Sequence, residues 1–139
     1  MKLIDTNGLD FMVKQRIAAS GNLYITPDIQ DEFEAWHDRK PPRNVENLFE
    51  TSWFDRGAYL DGYKKMLNSY GGRSFYNMGG FGDISLLATL QAQRVSASRM
   101  LPGLAEEIEV ITGDEKLTRK IEREFGKAIK VSTPSDFFN

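Results

Sequence analysis

The sequence predicts an α/β protein: a three-layer α/β/α sandwich around a mostly parallel sheet. Three observations lead there. Short apolar runs at Leu3–Ile4, Leu23–Tyr24–Ile25, Glu109–Val110–Ile111–Thr112 and Ala128 to Ser132 read as strands. They alternate with longer stretches of helical period, the pattern of a sheet flanked by helices. Finally, Asp5 closes the first run and Asp114 follows the third. In an open parallel sheet, chemistry gathers outside the carboxyl ends of the strands.

Each element has its own signature. After Asn7, the residues Leu9, Met12, Val13 and Ile17 fall on one helical face, and Gly21 stands where a C-cap glycine belongs. Thr26–Pro27 opens a second helix with an N-cap residue and a proline at the first helical position. Its buried stripe is expected at Ile29, Phe33 and Trp36, with Glu32 flanking it and free to face a cleft. Pro41–Pro42 ends that helix, and Asn44 is placed to cap a short helix through Leu48 and Phe49. Tyr59, Leu60, Tyr63, Met66, Leu67 and Tyr70 mark a third helix. Gly71 to Gly82 reads as a glycine-rich loop, with a short strand at Ser74–Tyr76. It has no Gly-Lys-Ser/Thr ending and no full dinucleotide fingerprint, so nucleotide binding gets no support. Gly82–Asp83 begins a helix that buries Ile84, Leu87, Ala88 and Val95. Leu117, Ile121 and Phe125 mark another, closed by Gly126, and Asp136 to Asn139 is left as a tail.

Composition narrows the classes. The chain of 139 residues is one domain's worth, 1–139, and 40% apolar residues suit a real core. No apolar run is long enough to cross a bilayer, so no membrane role is expected. Met1 leads straight into the first strand, which leaves no room for a signal peptide. The absence of cysteine excludes thiolate metal sites and favours a cytoplasmic location. A formal net charge of −2 argues against a wholly basic nucleic-acid surface and leaves room for a local basic patch. The single histidine, His37, rules out a histidine-rich zinc site.

If the sheet is parallel, Asp5, Glu32, Asp83 and Asp114 share one rim. Four carboxylates in a small cleft repel one another and would not all stay ionised alone. A hard divalent cation resolves the conflict, and an all-oxygen site suits Mg²⁺ or Mn²⁺. Such an ion can stabilise a phosphodiester under attack by water. Each acid also has an ordinary reading. Asp83 can cap its helix, Glu32 can be one exposed acid among Asp28 to Glu34, and Asp114 can start its turn. Only joint placement favours function.

These residues resemble the PIN domain, a metal-dependent ribonuclease fold of toxin–antitoxin toxins and RNA-processing factors. The resemblance rests on Leu3–Ile4–Asp5–Thr6–Asn7, on Ile25–Thr26–Pro27 through Glu32, on Gly82–Asp83–Ile84–Ser85–Leu86–Leu87–Ala88, and on Val110–Ile111–Thr112–Gly113–Asp114. These blocks come in the family's order and span nearly the whole chain. The resemblance implies that Asp5, Glu32, Asp83 and Asp114 are the catalytic acids. Asp5, Asp83 and Asp114 would bind the metal, and Asn7 and Thr112 would be polar helpers. Asp31 and Glu34 remain alternatives to Glu32. The implied activity is Mg²⁺- or Mn²⁺-dependent endoribonuclease cleavage of single-stranded RNA, in the setting of a toxin–antitoxin pair. RNA, an antitoxin-like protein and a second copy of the chain are the implied partners. The alternative is a non-catalytic PIN-like module that binds RNA or protein. A receiver-like or flavodoxin-like protein is a third option, but the paired acids and late lysine of a receiver are missing.

Other residues carry weaker signals. His37 at a helix end suits the helix dipole better than catalysis. Arg39, Lys40 and Arg43 form one basic cluster. Lys116, Arg119, Lys120 and Arg123 form another, and its Lys116, Arg119 and Lys120 are the candidates for substrate contact. Phe75, Tyr76 and Phe81 can pack, or can stack on unpaired bases.

Overall fold

The computed structural model describes residues 1–70, 81–101, 103 and 106–139. The strand expected at Ser74–Tyr76, with Phe75 and Tyr76, lies outside the described residues. In chain order the elements are β1 (Lys2–Ile4), α1 (Thr6–Gln15), β2 (Leu23–Ile25), α2 (Pro27–His37), β3 (Val45–Asn47), α3 (Arg56–Tyr70), α4 (Phe81–Ser98), β4 (Glu109–Ile111), α5 (Glu115–Phe125), β5 (Lys130–Ser132) and α6 (Pro134–Phe137). Single 3₁₀ turns occupy Leu48–Glu50 and Gly126–Ala128.

The five strands form one sheet in the order β3-β2-β1-β4-β5, and every pairing is parallel. β1 lies at the centre, with Leu3 opposite Tyr24 on one side and Val110 on the other. The strand order reverses between β1 and β4, the switch point where open α/β sheets leave a crevice. Helices flank the sheet as an α/β/α sandwich. Leu3, Ile4, Ile25, Val110 and Ile111 of the sheet are buried, together with Leu9, Met12, Ile29, Phe33, Leu117 and Ile121 of the helices. α4 is buried continuously from Ile84 to Leu90, as expected of a helix that is apolar around its girth. Gly62 lets α3 pack tightly on it: a Cβ there would stand 2.7 Å from the Ala88 carbonyl oxygen. Among the described residues, no helix is long and apolar enough to cross a membrane.

Several local expectations are corrected. α1 ends at Arg16 in the left-handed conformation (φ 55°), not at Gly21, and the Arg16 N–H closes onto the Val13 carbonyl. Trp36 is not in the core stripe of α2; it lies in the last turn, beyond the buried Ile29 and Phe33, and is 81% exposed. Leu60 likewise faces outward on α3, and Val95 is only half-buried. Asn44 caps no helix. It sits at φ 67°, donates to the Ala19 carbonyl and leads into β3, a strand the sequence reading missed. The cap belongs to Asn47, which accepts from Phe49 N–H and starts the Leu48–Glu50 turn. The C-terminal segment is not a bare tail, because Thr133 caps α6.

Candidate functional site

The site begins at the β1–α1 junction, where consecutive residues point to different partners. Asp5 is the N-cap of α1, and its Oδ1 accepts from the Gly8 N–H at 2.8 Å. Its Oδ2 accepts a short hydrogen bond from the Thr112 hydroxyl, just past the end of β4. Thr112 in turn accepts from the Asp114 N–H at 3.0 Å. Thr6 hydrogen-bonds the Glu32 carboxylate. The Asn7 Oδ1 accepts from the Gly113 N–H at 3.0 Å, fixing the turn that presents Asp114. One junction therefore orients the β4–α5 turn and touches α2.

A second junction joins the first turns of α2 and α4. Thr26 caps α2 by accepting from the Ile29 N–H, and its oxygen lies 2.5 Å from Ser85 Oγ. The Ser85 hydroxyl donates to the Gly82 carbonyl at 2.7 Å. With that proton committed, the Thr26 hydroxyl donates to Ser85. Both hydroxyls are fully buried, so this chain is a dry link between the two helices. It brings Glu32 of α2 against Gly82, the residue before Asp83.

The electrostatics show four acids in one neighbourhood. Burial is the main cause that pushes Asp5 up to about 6; Asp114 and Glu32 add to it, while Thr112 and Gly8 oppose it. Burial also leads for Asp83, pushed up to about 8, with Asp114, Asp5 and Glu32 all raising it and Lys120 lowering it. Glu32 is raised by burial and by Asp28, against the hydrogen bond from Thr6. Among the described residues, no hydrogen-bond donor or ion-pair partner reaches the Asp83 carboxylate. Asp114 uses Oδ1 to cap α5 through the Lys116 and Leu117 N–H groups. Its ordinary reading as a cap is therefore correct, and it still faces Asp5 and Asp83. Among the described residues, no three acidic or histidine side chains are grouped tightly enough to form a ready-made ion cage.

The remaining candidates divide. His37 stacks on Phe33 and sits 3.1 Å from Asp10, tying α2 to α1. Arg119 is exposed and faces Glu115 at 3.5 Å, whereas Lys120 is the cation that acts on Asp83. Lys116 and Arg123 are exposed on α5, and Phe81 is half-exposed beside Gly82. The sequence reading missed Thr6 as a partner of Glu32, and Thr26 and Ser85 as the link behind it. Thr26 had shown only its capping signal, and nothing marked a contact 59 residues away.

The fold matches that of a solved structure, the PIN domain of T. brucei RRP44. The TM-score is 0.50 and the identity 14%, over 99% of this chain and 78% of that one. The chain thus has a PIN-like α/β fold. No family model and no curated protein matches the sequence.

Proposed function

We propose that the protein is a divalent-metal-dependent endoribonuclease acting on single-stranded RNA. The observation that carries this reading is the set Asp5, Glu32, Asp83 and Asp114 at the β1–β4 switch point. In addition to the effect of burial, Asp114 and Glu32 both raise the proton affinity of Asp5, and Asp114, Asp5 and Glu32 raise that of Asp83. Carboxylates gathered at such a cost in burial and repulsion favour a cation. The donors are all oxygens, which suits Mg²⁺ or Mn²⁺. Asp5, Asp83 and Asp114 would hold it, with Glu32 completing the set. When bound, such an ion neutralises charge on a phosphodiester undergoing hydrolysis.

The chain's own residues do the positioning. Thr112 and the Gly8 N–H hold both oxygens of Asp5, so its carboxylate cannot rotate away. Asn7 fixes the Gly113 turn and hence the direction of Asp114. Lys120 places positive charge beside Asp83, where it can hold an RNA phosphate. Lys116 and Arg119 extend that basic face along α5. The toxin role, the antitoxin-like partner, a homodimer and the cytoplasmic location rest on the sequence resemblance alone.

The test is cleavage of a labelled single-stranded RNA in Mg²⁺ or Mn²⁺, with chelator as control. Asp5→Asn and Asp83→Asn should each reduce cleavage by roughly 100-fold or more while leaving the protein folded. Asp5→Asn retaining full metal-dependent cleavage would refute the proposal. A wild type that binds RNA without cutting it would instead support the non-catalytic module.

A further inference from the structure

We infer that Gly82 is a positioning residue for Glu32: its missing side chain is what lets the Glu32 carboxylate seat against the first turn of α4, next to Asp83. The inference rests on the metal reading above and asks how Glu32 enters the site. A Cβ built on Gly82 would stand 2.7 Å from Glu32 Oε2 and 3.5 Å from Cδ. Its third neighbour, Ile29 Cγ1, is at an ordinary 3.6 Å. Among the described residues, the added methyl group therefore collides with the carboxylate alone.

Two of the three ways to relieve that collision are closed. The Gly82 backbone cannot retreat easily, because its carbonyl accepts from Ser85 and Ser85 is joined to Thr26. α2 cannot move away, because Thr26 is its N-cap and Ile29 and Phe33 are buried beneath it. What remains is the end of the Glu32 side chain, which turns on flexible torsions and is held there by the Thr6 hydroxyl. Gly62 shows the contrast. There the obstructing atom is a backbone oxygen, so an added methyl group strains the fold and not a site. The sequence left Asp31 and Glu34 as rivals to Glu32. The contact with Gly82 selects Glu32.

The experiment is a Mn²⁺ titration of metal-free protein, read by the electron paramagnetic resonance signal of free Mn²⁺, with thermal melting alongside. Gly82→Ala should weaken Mn²⁺ binding roughly tenfold, the scale of an outer-shell change. Its metal-free melting temperature should hold or rise, because Ala is favoured over Gly in a helix. Glu32→Gln should weaken binding in the wild-type background and add little in Gly82→Ala, because the carboxylate has already been displaced. Wild-type affinity in Gly82→Ala, or losses that simply add, overturns the inference and leaves the metal reading standing. A wild type with no Mn²⁺ site that Asp5→Asn removes overturns both. If Gly82→Ala does not fold, Gly82→Ala/Glu32→Ala decides: recovery of the fold confirms the contact, and failure of both refutes it.

Discussion

Raising the pH from 5 to 8 should destabilise the metal-free protein, and Asp83→Asn should remove most of that loss. Asp83 is pushed up to about 8 and Asp5 to about 6, both from 3.8. Between those values the folded chain binds more protons than the unfolded one, so stability falls as pH rises. Integrating from pH 5 to 8 gives a loss of about 4 kcal/mol from Asp83 and about 1 kcal/mol from Asp5. That is a large share of the ~5–15 kcal/mol typical of a domain, and should lower the melting temperature by about 10 °C or more. The assay is urea or thermal unfolding in chelator at pH 5, 6, 7 and 8. Asparagine at position 83 keeps the size and never ionises, so its curve should be flatter and lie above the wild type at pH 8. Added Mg²⁺ should rescue the wild type at pH 8 by mass action and the variant much less. If the metal-free wild type melts at the same temperature at pH 5 and pH 8, the four acids are not packed together, and the argument from repulsion fails.

Three other outcomes are expected. Thr112→Val removes the donor to Asp5 and the acceptor of the Asp114 N–H; it should cost about 1–3 kcal/mol in urea unfolding. Carboxyl NMR of that variant should show Asp5 titrating higher still, because the Thr112 bond lowers it. Gly62→Ala should destabilise by about 1–3 kcal/mol, since the Ala88 carbonyl cannot yield; an unchanged melting temperature would contradict that packing. Lys120→Met should weaken RNA binding at every sequence and reduce the salt slope by about 1, while Arg119→Met, already engaged with Glu115, should change it less.

What could be read from the sequence was what local pattern encodes. β1, β2 and β4 are apolar runs because they lie in the middle of the sheet. β3 escaped because Val45–Glu46–Asn47 has one apolar residue and stays half-buried at the edge. The end of α1 escaped because Arg16 adopts a left-handed conformation that its side chain does not advertise. Asp5, Asp83 and Asp114 were legible as acids at element boundaries, and their shared neighbourhood follows from the parallel sheet. Glu32 was legible only to within its neighbours Asp31 and Glu34. Its selection depends on Gly82 and Thr6, which no periodicity links to it. Lys120 and Arg119 looked alike in sequence. They differ because α5 turns Lys120 toward the acids and Arg119 toward Glu115.

The β1–α1 junction also sets when the proposed site can assemble in a growing chain. Asp5 reaches Thr112 across 107 residues, and Asn7 reaches Gly113 across 106. During synthesis, three of the four acids emerge long before the β4–α5 turn that holds Asp5 in place. Such distant contacts form late. For a chain whose proposed target is RNA, this keeps the site unassembled until β4 and the turn after it have been made. A chain stopped at Leu101 should accordingly show no Mn²⁺ affinity beyond that of an unstructured acidic peptide, and completing the chain through α5 should create it in a single step.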